Sequence, residues 1–232
     1  AVVRSSRSGG KPPKVGRHDD VREVCRVLVE ADVKIAPVYE GDNLWGIVAA
    51  DDILRAVKEN LAAIDVETTG SASVVTVQEG DHVGKVINRL RENSISRLPV
   101  LNDAGELTGI VTTNDIVEFV VRDEERQGSH DRRGDLDRML DIPVYDLMSN
   151  PVQTITPGET VDDAVDVMFE NNISGLVVTA TDSGSEVVGI LTKTDILRAL
   201  TETEEESMDV QITNINLLDN ITREDIVADI TS

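Results

Sequence analysis

The chain has 232 residues, which is enough for one large domain or two small ones. Its net charge is −22, from 44 acidic and 22 basic residues, and aromatic residues make up only 2% of the sequence. This negative field disfavours nucleic acids and anionic membrane surfaces as partners, and so few aromatic rings give little support for stacking on bases.

The basic residues are strongly skewed, with 16 arginines and 6 lysines. Excess acid, scarce lysine and a core of small aliphatic residues are typical of proteins from a salt-rich cytoplasm, where dissolved salt screens the self-repulsion. An acidic protein from an ordinary cytoplasm is the alternative. We find no apolar run of the ~18 residues that a membrane span needs and no signal peptide, so we expect a cytoplasmic protein.

The chain opens with a basic stretch that is rich in Ser, Gly and Pro. We expect residues 1–12 to be a flexible linker, although an arm that reaches a phosphate or a nucleic acid is the functional alternative. Cys25 follows on a helical apolar face and is expected to pack in a core. Because it is the only cysteine, the chain holds neither an internal disulfide nor a cysteine-based metal site.

One dodecapeptide occurs three times along the chain. The copies read GIVAADDILRAV at 46–57, GIVTTNDIVEFV at 109–120 and GILTKTDILRAL at 189–200. Before each copy lie a helix-period stretch and an apolar segment. The first valine of that stretch and the middle of the apolar segment are 16 residues apart in every copy, namely Val21 and Pro37, Val83 and Pro99, and Val161 and Val177. This constant spacing predicts an internal repeat built as strand, helix, strand, turn, strand and helix.

Each repeat resembles the CBS domain, named after cystathionine β-synthase, whose second helix opens with Gly, two apolar residues, Thr or Ser, any two residues, and Asp. The second and third copies match this signature fully, and the first has Ala49 in place of the hydroxyl residue. The resemblance covers 13–57, 72–120 and 143–200. It implies an α+β fold of β-α-β-β-α units that pair through their small sheets, and modules that form homodimers.

If the units pair two by two, one of the three repeats has no partner within the chain. The copies are joined by the linkers 58–71 and 121–142, and either could lie inside a pair. We favour the second and third copies, because both carry the intact motif; a pair of the first and second is the alternative. Residues 201–232 are expected to form an acidic linker followed by a strand and a helix that could open a further domain.

The Thr-x-x-Asp motif has two interpretations. Before an apolar run it is a good helix-capping box, worth about 1 kcal/mol. The same helix start is also an anion site, and a carboxylate one turn away can accept hydrogen bonds from both hydroxyls of a ribose. Arg97, on the strand that leads to this helix, adds a guanidinium suited to phosphate oxygens.

The resemblance implies an adenine-nucleotide site in which the motif Asp holds the ribose, the hydroxyls approach the phosphate and a basic residue neutralises it. The second copy offers Arg97, Thr112, Asn114 and Asp115, and the third offers Thr192, Thr194 and Asp195. Gly175 stands where Arg97 does, so the phosphate cation of the third copy could be Arg97 across the pair or Lys193. The first copy offers Asp52 and Lys34, but Asp51 would repel phosphate. Thr154 is a candidate contact to the base.

We therefore predict a regulatory module that binds AMP, ADP or ATP, or in second place S-adenosylmethionine, and signals to an unknown effector protein or domain. No arrangement of Ser, His and Asp, of Cys and His, or of paired carboxylates points to catalysis, and we expect no required cofactor and no metal site. One alternative is an interaction scaffold in which the motifs only cap helices. Another is the detached regulatory region of an enzyme such as IMP dehydrogenase.

Overall fold

The computed structural model describes residues 13–126, 140–181 and 184–202. Each of the three repeats forms a strand, a helix, a hairpin of two strands and a second helix, which confirms the predicted α+β fold. The segments 1–12 and 203–232, and with them the predicted basic linker and the predicted terminal strand and helix, lie outside the described residues. The linker between the second and third repeats is described only at its two ends.

The elements take the following bounds. The first repeat has β1 (Val15–Gly16), α1 (Val21–Glu30), β2 (Ile35–Glu40), β3 (Asn43–Ala49) and α2 (Ala50–Leu61). The second has a preceding short helix α3 (Val66–Thr69), then β4 (Val77–Gln78), α4 (Val83–Glu92), β5 (Arg97–Leu101), β6 (Leu107–Thr112) and α5 (Thr113–Arg126). The third has a 3-10 turn (Val144–Asp146), then β7 (Thr154–Ile155), α6 (Val161–Glu170), β8 (Gly175–Thr179), β9 (Val187–Thr192) and α7 (Lys193–Glu202).

The three sheets share one topology and one register. In each, the first strand runs parallel to the middle strand, and the middle strand pairs antiparallel with the last. The first residue of each middle strand faces the last residue of its hairpin partner, as in the pairs Ile35 with Ala49, Arg97 with Thr112, and Gly175 with Thr192. Positions can therefore be compared across repeats one residue at a time.

The described chain divides into two compact units. The first unit holds residues 13–62 together with 193–202, so the last helix of the third repeat belongs with the first repeat. There α7 packs against α1 and α2 and buries Ile196, Leu197 and Leu200. Cys25 on α1 is fully buried as expected, and burial, with a smaller effect from the charge of Asp20, raises the pKa of its thiol to about 12.

The second unit, residues 63–192, contains the second repeat and the strands of the third. The segment that opens the third repeat, ahead of β7, completes the core of the second repeat, because Val144 is fully buried among the core residues of the second repeat. The backbone NH of Val83 donates to the carbonyl of Ile142 at 2.9 Å. Further along, Ser149 forms an antiparallel bridge with Ile110 on β6.

The segment before the second repeat does the same for the third. Val66 is fully buried, and its helix α3 packs on α6. The backbone NH of Val161 donates to the carbonyl of Ile64 at 2.9 Å, and Ser71 bridges Ile190 on β9. The two repeats therefore exchange equivalent segments, and this is the pairing that the intact motifs favour. Much of the expected linker 58–71 takes part in this exchange.

The sheet of the first repeat has an exposed apolar face. On this face Ile35 is 48% exposed and Ile47 is 43% exposed. Ile47 pairs with Pro37 in the sheet, and the residue equivalent to Pro37 in the third repeat, Val177, is fully buried. At the edge of this face the guanidinium of Arg17 lies 3.8 Å from the ring centroid of Trp45. Within the described ranges, no helix combines the length and the apolar character that crossing a membrane requires.

The second helices of the second and third repeats differ in how deeply they are buried. Leu197 on α7 is 3% exposed, and Val117, the equivalent residue on α5, is 55% exposed. We predict that Leu197→Ala lowers the free energy of unfolding by about 2–5 kcal/mol, because it leaves a cavity between helices. We predict that Val117→Ala changes it by less than about 0.5 kcal/mol, since the side chain is already in water. Urea unfolding followed by circular dichroism measures both; similar losses in the two variants would contradict the packing described.

Candidate functional site

The motif of the second repeat forms a complete capping box. Thr112 ends β6, and its backbone NH and its hydroxyl both donate to Oδ2 of Asp115, at 2.7 and 2.6 Å. In return the backbone NH of Asp115 donates to Oγ1 of Thr112 at 3.3 Å. The capping role predicted from the sequence is therefore present, and it uses one of the two carboxylate oxygens.

The other carboxylate oxygen of Asp115 is reached from the partner repeat. The hydroxyl of Ser149, in the segment that opens the third repeat ahead of β7, donates to Oδ1 of Asp115 at 3.1 Å. Two backbone hydrogen bonds with Ile110 hold Ser149 in place, at 2.8 and 3.0 Å. Asp115 thus accepts hydrogen bonds from hydroxyl groups of both repeats of the pair. Sequence reasoning missed Ser149, although Ser71 and Ser149 both lie six residues before the buried residue of the first strand, Val77 or Ile155.

The corresponding carboxylates of the other repeats have different neighbours. Asp52 accepts from the backbone NH of Ala49 at 3.2 Å and lies 3.5 Å from Arg55, with no hydroxyl at position 49. Asp195 forms an ion pair with Arg198 at 3.0 Å. In the second repeat the residue three positions after the motif carboxylate is Glu118, so Asp115 has no arginine on its own helix turn.

Arg97 reaches from the second repeat into the third. Its Nη2 donates to the hydroxyl of Ser174 at 2.8 Å. A Cβ placed on Gly175 would lie 2.1 Å from Nη1 of Arg97, so the guanidinium occupies the space that any other residue at 175 would fill. Because Gly175 pairs with Thr192 in the sheet, the guanidinium lies against the strand whose neighbour carries the hydroxyl of the third motif.

Lys193, the other candidate cation for the third repeat, forms an ion pair with Asp51. The distance from Nζ of Lys193 to Oδ1 of Asp51 is 2.9 Å, and the lysine side chain is only 14% exposed. Both residues lie in the first turn of their helices and in the same unit. Asp51, which the sequence analysis expects to repel phosphate, therefore pairs with a lysine of this chain.

The remaining predicted site residues are spread over both units. Asn114 and Thr194 are exposed in the first turns of α5 and α7, and Thr154 is half-buried on β7, paired with Val177. Lys34 is exposed, and its carbonyl accepts from the NH of Ala50 at 2.8 Å, at the start of α2. The second unit therefore brings together the candidates of the second repeat with Thr154 and Thr192, and the first unit holds Lys34, Asp52, Thr194 and Asp195.

His82 occupies the N-cap position of α4, and its Nδ1 lies 2.9 Å from the carbonyl oxygen of Asp141, which agrees with a structural role. Within the part of the chain that the structure describes, no group of three or more His, Cys, Asp or Glu side chains is arranged to hold a metal ion.

Comparison with known proteins places the repeats in a family. The sequence model of the CBS domain matches residues 9–59, 65–122 and 144–202, which together make up more than half of the chain. An uncharacterized protein of Methanocaldococcus jannaschii is 28% identical over 80% of this chain and 44% of its own length. The chain spans about half the length of the curated relatives it matches.

Solved structures agree in fold. Protein MJ1225 from Methanocaldococcus jannaschii superposes with a TM-score of 0.67 over 82% of this chain and 67% of its own, at 20% identity. The CBS domain pair of protein MJ0100, solved in complex with 5′-methylthioadenosine and S-adenosyl-L-methionine, gives a TM-score of 0.50 at 25% identity, over 60% of this chain and 98% of its own. With a family model that matches all three of its repeats, the chain belongs to the CBS domain family.

Proposed function

We propose that the second and third repeats form a regulatory module that binds an adenine nucleotide and transmits occupancy through the geometry of the pair. AMP, ADP and ATP are the favoured ligands, and S-adenosylmethionine is the second choice. The observation that carries this proposal is the carboxylate of Asp115, which accepts hydrogen bonds from hydroxyl groups of both repeats at once.

The chemistry of this carboxylate suits a ribose. A ribose presents two adjacent hydroxyls, and a carboxylate oxygen has lone pairs for more than one donor. A ligand that hydrogen-bonds to Asp115 would enter a network that already includes Ser149, so its binding would bear on the contact between the repeats. A ligand shifts such an equilibrium only through its different affinities for the two arrangements. The solved CBS pair with two adenosine derivatives supports the choice of ligand class.

The first repeat is proposed to have lost phosphate binding. Ala49 removes the hydroxyl of the motif, and Ile35 occupies the position at which Arg97 stands in the second repeat. We therefore assign the first repeat a structural role, in which it supports α7 through helix packing and the ion pair of Asp51 with Lys193.

Ligand binding tests the role of the two motif carboxylates. We expect the double variant Asp115→Ala, Asp195→Ala to bind AMP and ATP at least about ten-fold more weakly, because each lost carboxylate removes charge-assisted hydrogen bonds to a ribose. Isothermal titration at molar KCl and at low salt measures this. Asp103→Ala, which removes an exposed acid from the turn between β5 and β6, is the matched control and should bind as the unmodified chain does.

The opposite result would favour the scaffold alternative. If the motifs only cap helices, the double variant melts a few degrees lower, since a cap is worth about 1 kcal/mol, but ligand binding does not change. The absence of binding by any adenine nucleotide to the unmodified chain would also overturn the proposal.

We further propose that the module self-associates through the exposed sheet face of the first repeat. The equivalent faces of the other two repeats are covered within their pair, where Pro99 and Val177 are buried, while Ile35, Trp45 and Ile47 remain exposed. Two copies of one apolar face can cover each other about a two-fold axis.

This contact predicts a dimer in solution. We expect light scattering of the unmodified protein to give twice the mass of one chain. The Ile47→Glu variant should give the mass of one chain, because a carboxylate buried in the dimer contact without a partner is costly. Val117→Glu, at a valine on α5 that is 55% exposed, is the control and should leave the dimer intact. A monomer mass for the unmodified protein would contradict the proposed dimer and would show that another partner covers this face.

A further inference from the structure

We infer that residues 3–8, here called the crossing segment, dock on the outer edge of β3 in the first repeat of a second copy of this chain. The two copies would then exchange these segments reciprocally, as the second and third repeats exchange theirs. This inference rests on the proposed self-association of the first repeat. It adds to that contact the part of the partner copy that completes it.

The outer edge of β3 has backbone groups placed for an extended segment. In the second repeat the NH and the carbonyl of Ile110 bond to Ser149 at 3.0 and 2.8 Å. In the third repeat those of Ile190 bond to Ser71 at 3.1 and 2.8 Å. Ile47 has the same place in its hairpin, directly after the motif glycine, and no described residue forms this bridge with it. Such an edge is a template for another extended segment.

The motif glycine leaves space beside this edge. A Cβ on Gly109 would lie 2.8 Å from Cγ of Met148, and one on Gly189 would lie 3.2 Å from the carbonyl oxygen of Ser71. In both repeats the glycine therefore faces the segment that arrives from the other repeat. The first repeat keeps this glycine as Gly46, at the same register of its sheet, so its edge has the same space.

The crossing segment repeats the pattern of the two exchanged segments. These segments read VETTGS at 66–71 and VYDLMS at 144–149, and the crossing segment reads VRSSRS at 3–8. Each has a serine five positions after a valine, and in the exchanged segments the valine is buried and the serine bridges the sheet. That serine lies six residues before the buried residue of the first strand, and Ser8 lies seven before Val15. A connection outside the strands tolerates one added residue.

Both exchanged segments bridge the sheet of the other repeat and not their own. Residues 66–71 precede β4 and bridge β9, and residues 144–149 precede β7 and bridge β6. Among the described residues, the first repeat shares its unit only with α7, which supplies no such segment. A second copy supplies both a crossing segment and an edge, so one two-fold axis satisfies both chains.

The charges of the segment and of the edge are opposite. Residues 1–12 contain no acid and three basic residues, Arg4, Arg7 and Lys11. By the contact that Ser149 makes with Asp115, Ser8 would lie beside Asp52, whose side chain is 46% exposed. Hydroxyl and guanidinium donors beside this carboxylate give charge-assisted hydrogen bonds, which favour this segment within a strongly acidic chain.

A pair of cysteines tests the crossing directly. A bridge of the kind at Ile110 brings two Cα atoms within about 5.5 Å, which suits a disulfide. The variant Ser8→Cys, Ile47→Cys should give a covalent dimer with oxidised glutathione, seen by non-reducing electrophoresis. The control Ser5→Cys, Ile47→Cys should cross-link about ten-fold more slowly, because its register keeps the sulfur atoms apart. The native Cys25 does not interfere, since it is fully buried.

Two neighbouring valines separate a specific contact from a general effect of charge. Val3→Asp should raise the dissociation constant of the dimer about ten-fold or more, because it places an unpaired carboxylate where the exchanged segments bury a valine. Val2→Asp adds the same charge one residue outside the pattern and should change the constant by less than about two-fold. Sedimentation velocity over a dilution series measures both.

An intrachain disulfide in the Ser8→Cys, Ile47→Cys variant would overturn the inference, because the segment would then dock on its own repeat. Equal effects of Val2→Asp and Val3→Asp would overturn it as well. A dimer in which neither cysteine pair cross-links would reject the crossing segment and leave the proposed self-association standing. If the unmodified chain is a monomer, the proposed self-association itself fails, which is a separate result.

Discussion

The second and third repeats depend on an exchange of two short apolar segments, each of which completes the core of the other repeat. Val66 and Val144 are both fully buried, and burial of a valine contributes about 1.5–3 kcal/mol relative to exposure. A unit with two helices and a three-stranded sheet has little apolar surface to bury alone, so each repeat gains a core residue that its own sequence does not supply. Because the exchange is reciprocal, neither repeat can lose its partner without exposing a valine and breaking backbone hydrogen bonds.

The exchange also determines the chemistry of the site. The segment that carries Val144 continues to Ser149, which bridges β6 and donates to Asp115. The carboxylate of one repeat is therefore completed by a hydroxyl of the other. Arg97 makes the opposite crossing, from the second repeat to Ser174 and Gly175 of the third. The groups that hold the pair together and the proposed binding groups share one set of contacts, so under the proposed function a ligand at Asp115 would bear on how the repeats hold each other.

The sequence predicted the repeated elements well because their signals are periodic. Apolar spacing marked each second helix, and Thr112 with Asp115 formed the capping box that their spacing indicates. The exchanged segments escaped prediction because a stretch of about eight residues with one buried valine has no period to detect. The first was assigned mostly to the linker 58–71, and most of the second to the beginning of the third repeat, 143–200. Ser149 contacts a residue 34 positions earlier, which no local pattern reveals. At Gly175 the sequence showed a missing cation, whereas the structure shows space for the cation of the neighbouring repeat.

The first repeat shows which parts of the motif the fold requires. It keeps the glycine, the carboxylate and the apolar residues of the dodecapeptide, and it keeps the sheet register. Ala49 still opens a helix, with Asp52 accepting from its backbone NH at 3.2 Å, so the fold tolerates loss of the hydroxyl. Asp51, which would repel a phosphate, instead forms an ion pair with Lys193 on the helix of the third repeat. The ion pair of this acid with Lys193 ties the first repeat to α7, whose first turn carries Asp195 of the third motif.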